Sequence, residues 1–294
     1  MFGEDIHRNF GEEKISADAG GGSDAGFVVD STNHFSILKE NHYVVGVKAE
    51  FEAEGTRMEE ALRLKEVVTK AGLDLTIKIG GCEAIRDMYD ARSIGVTRIV
   101  APMIETPYAL KKYLAATHMV YPQDEWAGVD FLINVETYTG YKNFDEMMHV
   151  PGVEQLTGIV LGRVDMTGSM GLTRDDINAE PVFEVAKDLF LKAKQHGKEC
   201  VIGGGVSAAS IDFFNRLPKG TLDRYETRKV LFQLPGAVSE GADKGILKAV
   251  GFELMWLKNK REFYKMIYEE DSQRIAMLQS RYDKLIEAAG GKYQ

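Results

Sequence analysis

Two apolar stretches that each finish on an acidic residue carry the first sign of chemistry in this chain. The run VDFLINVET has Glu136 near its end, and TGIVLGRVDMTGSMG carries Asp165. The two acids stand 29 residues apart, room for a strand end, a crossover helix and a further strand. Consecutive parallel strands point the same way, so both acids belong on one face of a sheet or barrel. Two carboxylates presented together suit a hard divalent cation, which takes oxygen ligands and keeps positions open for substrate and water. Strand alternation sets Asn134 beside Glu136, and Arg163 beside Asp165. An amide and a guanidinium are thereby expected near the metal. Solvated loop acids or helix caps are the alternative for each acid taken singly.

The elements that must position these groups follow a repeating pattern. YVVGVKAEF alternates so that Val45, Val47, Ala49 and Phe51 share one face while Lys48, Glu50 and Glu52 share the other. Burying that charged face against an apolar layer is costly, so it is expected to line a polar site, with a solvated Lys–Glu strand tip as the plainer reading. LTIKIGG places Lys78 on the same face as Thr76, and RIVAPMIE is the third strand, its Pro102 marking the strand's end and Pro107 starting the next helix. Beyond Asp165, MTGSMG is rich in small residues, and backbone amides at Gly168, Ser169 and Met170 are expected to approach an anionic ligand. A triple glycine, Gly203 to Gly205, sits where a strand yields to a helix whose N-terminus would receive a carboxylate or phosphate. Trp126, in a loop after the fourth helix, either walls a pocket or packs.

Strands near residues 43, 75, 98, 129, 158, 200 and 224 number seven, with an eighth expected at Phe27-Val28-Val29. Alternating strands and helices in this number favour a (β/α)8 TIM barrel with extra C-terminal helices over an open doubly wound sheet. Residues 1–30 read as a mobile tail or arm holding His7, Arg8 and a glycine run, 31–235 as the barrel, and 236–294 as two or three amphipathic helices.

Composition sets the bounds. A chain of 294 residues with 44% hydrophobic content is long enough for one large α/β domain. A formal net charge of −9 argues against nucleic acid or an anionic membrane as partner. Only Cys82 and Cys200 occur, which excludes a disulfide framework; buried free thiols are expected. No long apolar run or leader-like segment stands out, and the cytoplasm is the expected compartment.

INVET, LGRVDMTGSMG and IVAPMIETPYALKKYLAAT with the following YPQ resemble the HpcH/HpaI aldolase and citrate lyase β-subunit family of the phosphoenolpyruvate/pyruvate barrel superfamily. The resemblance implies a (β/α)8 barrel and a divalent metal, Mg2+, Mn2+ or Co2+, held by Glu136 and Asp165. It implies a carbon–carbon lyase acting on a 2-oxoacid and an aldehyde through a pyruvate-like enolate, the aldehyde sugar-derived in one version. The turn around Gly168 to Gly171 would hold the 2-oxoacid carboxylate, with Asn134 and Glu52 also on the substrate. It further implies a homo-oligomer, trimer or hexamer.

Two departures stand out. The strand VGVKAEFEAEG lacks the family's catalytic histidine, and Lys78 stands where the family carries an arginine. Lysine supplies charge without the bidentate fork. Glu50 is the first candidate base and Glu52 the second, with His118 and His42 as entrants from elsewhere. Catalytic roles are therefore expected of Lys48, Glu50, Lys78 and Arg163. The alternatives are a Schiff-base lyase using Lys48 or Lys78 at a lowered pKa, an acyl-CoA lyase, or a barrel that binds 2-oxoacids without catalysis.

Overall fold

The computed structural model describes residues 24–291. Helix α1 (Asp24–His42) leads into β1 (Val44–Glu50), and the pattern continues through α2 (Met58–Lys70), β2 (Asp74–Lys78), α3 (Ile85–Ile94), β3 (Arg98–Ala101), α4 (Pro107–Val120) and β4 (Asp130–Asn134). The short α5 (Tyr138–Lys142) and α6 (Phe144–Met147) precede β5 (Leu156–Gly162), α7 (Arg163–Ser169), α8 (Glu180–Gln195) and β6 (Glu199–Gly203). Then come α9 (Ser210–Arg216), β7 (Arg224–Glu226), β8 (Val230–Gln233) and α10 (Ala242–Ala288). The strands close into a barrel in chain order.

The expected barrel is present, with a different closing strand. Phe27 and Val28 are buried in α1, so residues 24–30 are helical and contribute neither a strand nor a loose tail. The glycine run at 19–23, His7 and Arg8 lie outside the described residues. The eighth strand comes from the segment read as one strand from 224 to 233. It folds back on itself: Thr227 N–H donates to Val230 O at 2.9 Å and Val230 N–H to Thr227 Oγ1 at 3.2 Å. Strand β8 consequently runs antiparallel to both β7 and β1, while every other neighbouring pair is parallel.

Alternation along the strands sorts the barrel interior into three levels. At the N-terminal end of the strands, buried Arg98 is paired to Asp130 at 2.7 Å and to Glu199, which also holds Arg224 at 2.6 Å. Two residues further along each strand come Val100, Leu132, Val160 and Val201, a packed apolar plug. Two further again lie Asn134, Gly162 and Gly203, and with them Lys48, Lys78 and Glu226. The plug isolates the two charged levels from each other.

The helices obey local rules. Thr106 Oγ1 caps α4 by accepting from Ala109 N–H at 3.1 Å, with Pro107 in the first turn as expected. Beyond Pro235 no proline interrupts the chain, and the expected two or three C-terminal helices are the single 47-residue helix α10. Cys200 is buried and Cys82 only partly so; both are free.

By compactness the described residues divide into Val28–Glu253, which holds the barrel, and a second unit of residues 24–27 with 254–291. In the first, Phe35 of α1 packs on Phe252 at 4.4 Å between ring centroids. In the second, Phe27 meets Trp256 at 5.8 Å. Among the described residues no helix is long and apolar enough to cross a membrane.

The plug predicts a specific cost. Leu132→Ala, at a position 1% exposed, is expected to lower unfolding free energy by about 2–5 kcal/mol in denaturant titration, the range for a truncated buried leucine that leaves a cavity.

Candidate active site

A cavity of about 480 Å3 opens over the C-terminal ends of the strands, the end at which barrel enzymes carry their chemistry. Its wall holds six carboxylates, Glu50, Glu52, Glu136, Asp165, Glu226 and Glu253, against four cations, Lys48, Lys78, Arg174 and Arg228. The formal excess is two negative charges.

Glu136, 2% exposed, lies just past β4. Its Oε1 accepts from Met103 N–H at 3.1 Å, its Oε2 accepts from Asn134 Nδ2 at 2.7 Å, and Lys78 Nζ stands 3.6 Å away. Burial raises its pKa, and Lys78 and the two hydrogen bonds offset that only in part; the nearby Asp165 adds to the rise. The carboxylate fits because β5 ends in glycine: a Cβ at Gly162 would stand 2.7 Å from Glu136 Oε2. Gly203 does the same for Glu226, whose Cγ and Oε1 would be 3.0 Å from a Cβ there. The glycines of β5 and β6 make room for the acids of β4 and β7.

Beside Glu136 lies a chain of ion pairs. Lys48 Nζ bridges Glu226 and Glu50, the latter at 3.1 Å, and Lys78 Nζ is 3.0 Å from Glu52. Burial alone would depress both lysines, but Glu226 and Glu50 outweigh it at Lys48, and Glu136 with Glu52 outweighs it at Lys78; both pKa values are pushed up. Burial would likewise raise Glu50, yet Lys48 and then Lys78 hold it below the usual range. The amine of a Schiff-base enzyme needs the opposite shift. Neither lysine therefore matches the expectation of a lowered pKa.

The structure brings together Lys48, Glu50, Glu52, Lys78, Asn134, Glu136 and Asp165, all of which line the cavity. It separates the rest. Strand β5 stops at Gly162, so Arg163 and Asp165 stand in the first turn of α7, where alternation no longer applies. Asp165 is exposed to the cavity while Arg163 turns away, fully buried. Arg163 donates to Gly203 O at 3.1 Å, Gly204 O at 3.0 Å, Asn178 Oδ1 at 2.5 Å and Ser210 Oγ at 3.1 Å, between the rings of Phe213 and Phe214. It fixes the glycine loop instead of meeting substrate. Burial lowers its pKa to about 10.

Gly168, Ser169 and Met170 also fall outside the cavity wall. Gly168 and Ser169 are helical, Met170 N–H is spent on Met166 O at 3.1 Å, and Ser169 Oγ accepts from Tyr138 N–H. No small-residue turn forms there to receive a carboxylate. The helix after the triple glycine begins only at Ser210, and Gly203 to Gly205 line the cavity as loop. His118 meets Trp126 edge-on at 4.1 Å between ring centroids, away from the cavity, His42 ends α1, and among the described residues no histidine lines the site.

Sequence reasoning missed Glu226, Arg228, Arg174 and Glu253. Glu226 was legible in principle, since alternation from Arg224 in β7 points it inward. Arg228 pairs with Glu54 at 3.1 Å and approaches Glu253 at 3.9 Å across a loop and α10, which no spacing reveals.

The residues present fit a divalent cation. Glu136 and Asp165 offer carboxylate oxygens, and Asn134 Oδ1 is buried without a hydrogen-bond partner. The two excess negative charges equal one dication, and Mg2+-type ions bind through one or two carboxylates while retaining water. Among the described residues no cluster of three or more His, Cys, Asp or Glu could hold a metal, so the remaining ligands would be amide, water or substrate.

The sequence profile described as HpcH/HpaI aldolase/citrate lyase matches residues 56–203, about half the chain. No curated protein matches. Among solved structures, an HpcH/HpaI aldolase/citrate lyase family protein from Burkholderia cenocepacia J2315 superposes with a TM-score of 0.53 at 14% identity, over 82% of this chain and 90% of that one. The citrate synthase SbnG gives 0.55 at 15% identity over 79% and 90%. An HpcH/HpaI aldolase from Desulfitobacterium hafniense DCB-2 gives 0.54 at 11% over 76% and 88%. These likenesses show the shared barrel.

Removing the bridging cation tests the ion-pair chain. Lys48→Met leaves Glu50 and Glu226 buried without it, and unfolding free energy is expected to fall by about 3–5 kcal/mol in urea titration, as for a broken buried pair.

Proposed function

Because the chain belongs to the HpcH/HpaI aldolase/citrate lyase family, we propose that it is a divalent-metal-dependent carbon–carbon lyase acting on a 2-oxoacid through its enolate, with an aldehyde as the second partner. The observation that supports this reading is the cavity's two excess negative charges, in a wall that holds Glu136, Asp165 and the buried, unpartnered Asn134 Oδ1. Glu136 and Asp165 would hold the ion, Mg2+, Mn2+ or Co2+, with Asn134 Oδ1 as a neutral donor. The bound ion supplies Lewis acidity, stabilising negative charge that develops on the 2-oxoacid's keto oxygen.

The chain's own groups supply positioning and proton transfer. Lys78, held protonated beside Glu136, would present a cation to the substrate's oxyanion. Glu50, held ionised by Lys48, is the acceptor for the hydroxyl proton released as the bond next to it breaks. Lys48, fixed between Glu50 and Glu226, keeps that carboxylate ionised and oriented. The plug of Val100, Leu132, Val160 and Val201 floors the cavity and keeps water from entering through the barrel. The family match starts at residue 56, so Lys48, Glu50 and Glu52 lie outside it; in this reading an acid–lysine group takes the place of a histidine in proton transfer.

The test is exchange of pyruvate C3 protons into deuterated water, followed by proton NMR. Exchange is expected with Mg2+ or Mn2+, to vanish with chelator, and to drop by at least about a hundredfold in Glu136→Gln, the scale of a lost electrostatic contact to the transition state; exchange indifferent to chelator would refute the reading. The pH dependence follows from sign. A proton and a cation compete for Glu136, whose pKa burial raises, so Mn2+ affinity is expected to fall on acidification starting above the ordinary glutamate range. Calorimetric titration at several pH values measures it, and affinity flat down to the ordinary range would contradict it.

A further inference from the structure

Three of the four cations in the cavity wall are spent on carboxylates, and the fourth is not. Lys48 is taken by Glu50 and Glu226, Lys78 by Glu52 and Glu136, and Arg228 by Glu54 and Glu253. Arg174, in the loop between α7 and α8, lines the same cavity and is exposed, and among the described residues it makes no ion pair or hydrogen bond. Of the wall's acids only Asp165 has no cationic partner among the described residues, and the proposed metal claims it. The charge and the forked N–H donors of Arg174 are therefore free for a ligand. A surface arginine left to solvent looks the same on its own; the backbone beside Arg174 makes the difference.

The glycine loop after β6 supplies a second set of donors. Gly204 and Gly205 have φ of 80° and 63°, turn backbone of the kind in which successive N–H groups gather into an anion-binding concavity. Among the described residues the N–H groups of Gly204, Gly205 and Val206 donate to nothing, and all three residues line the cavity. Contacts hold this loop against the segment that carries Arg174. A Cβ on Gly205 would stand 2.6 Å from Ile177 Cδ1, and Arg163 ties Asn178 to the carbonyls of Gly203 and Gly204. Strands β5 and β6, which lead into the two pieces, stand across the closed ring from β1 and β2, which carry Lys48, Glu50 and Lys78. A group that meets Arg174 is thus carried at the far end of the substrate from the hydroxyl that Glu50 serves. A guanidinium fork with backbone amides offers more donors than the two oxygens of a carboxylate take, and suits the three terminal oxygens of a phosphate monoester.

We propose that Arg174 and the amides of Gly204, Gly205 and Val206 form a phosphate subsite, and, resting on the lyase reading above, that the aldehyde partner is a phosphorylated one. Two measurements keep the subsite and that reading apart. Glycerol 3-phosphate titrated calorimetrically into the full chain with chelator present reads the subsite without metal or turnover. Saturable binding is expected in the wild type, weakened at least about tenfold in Arg174→Ala and less in Arg174→Lys, which keeps the charge without the fork. Condensation with pyruvate and Mg2+ reads the use of the subsite. There kcat/KM for D-glyceraldehyde 3-phosphate is expected to exceed that for D-glyceraldehyde and for succinate semialdehyde by at least about a hundredfold, and Arg174→Ala to lose at least about tenfold of that preference through KM. Absence of chelator-sensitive pyruvate exchange would sink the lyase reading and the aldehyde assignment with it, while glycerol 3-phosphate binding still decides the subsite. No binding by the wild type, equal binding by Arg174→Ala, or a preference for the carboxylated aldehyde would overturn the proposal.

Discussion

Charge that cannot be left unpaired in a low-dielectric interior governs this barrel. At the C-terminal ends of its strands, six carboxylates meet four cations in one cavity, and buried charge persists only when paired, hydrogen-bonded or neutralised. Lys48 and Lys78 settle Glu50, Glu52 and Glu226 by direct contact. Glu136 is left with a distant ammonium and two hydrogen bonds, and its raised pKa records the shortfall. A dication held by Glu136 and Asp165, as proposed, would remove that shortfall.

The same constraint explains where the small residues are. Gly162 and Gly203 stand on the strands beside Glu136 and Glu226, at distances that leave no room for a methyl group. Arg163, buried between two phenylalanines, holds the glycine loop by its carbonyls. Below them, four aliphatic side chains separate this charged level from the Arg98, Asp130, Glu199 and Arg224 network at the other end. Each charged level is therefore satisfied locally, by its own ion pairs and hydrogen bonds.

Much of this was legible from two-residue alternation. The barrel, the inward face of Lys48, Glu50 and Lys78, and the contact between Asn134 and Glu136 all follow from strand geometry read along the sequence. The reading failed where a strand stopped without a sequence mark. Nothing in LGRVDMTGSMG announces that Gly162 is the last extended residue, so alternation places Arg163 on the face of Asp165 and the small residues 168–170 read as an open turn. The hairpin between β7 and β8 was invisible for a related reason: its reversal rests on Thr227 and Val230 bonding each other, without glycine or proline at the bend. Arg228 and Glu253 come together only through tertiary packing.

A count of bound Mn2+ by electron paramagnetic resonance probes the centre of the account most directly. Titrated with Mn2+, the native chain is predicted to bind one ion tightly and the Glu136→Gln, Asp165→Asn double variant none, both keeping the same circular dichroism. Equal binding by the two proteins would place the cation elsewhere and contradict the account.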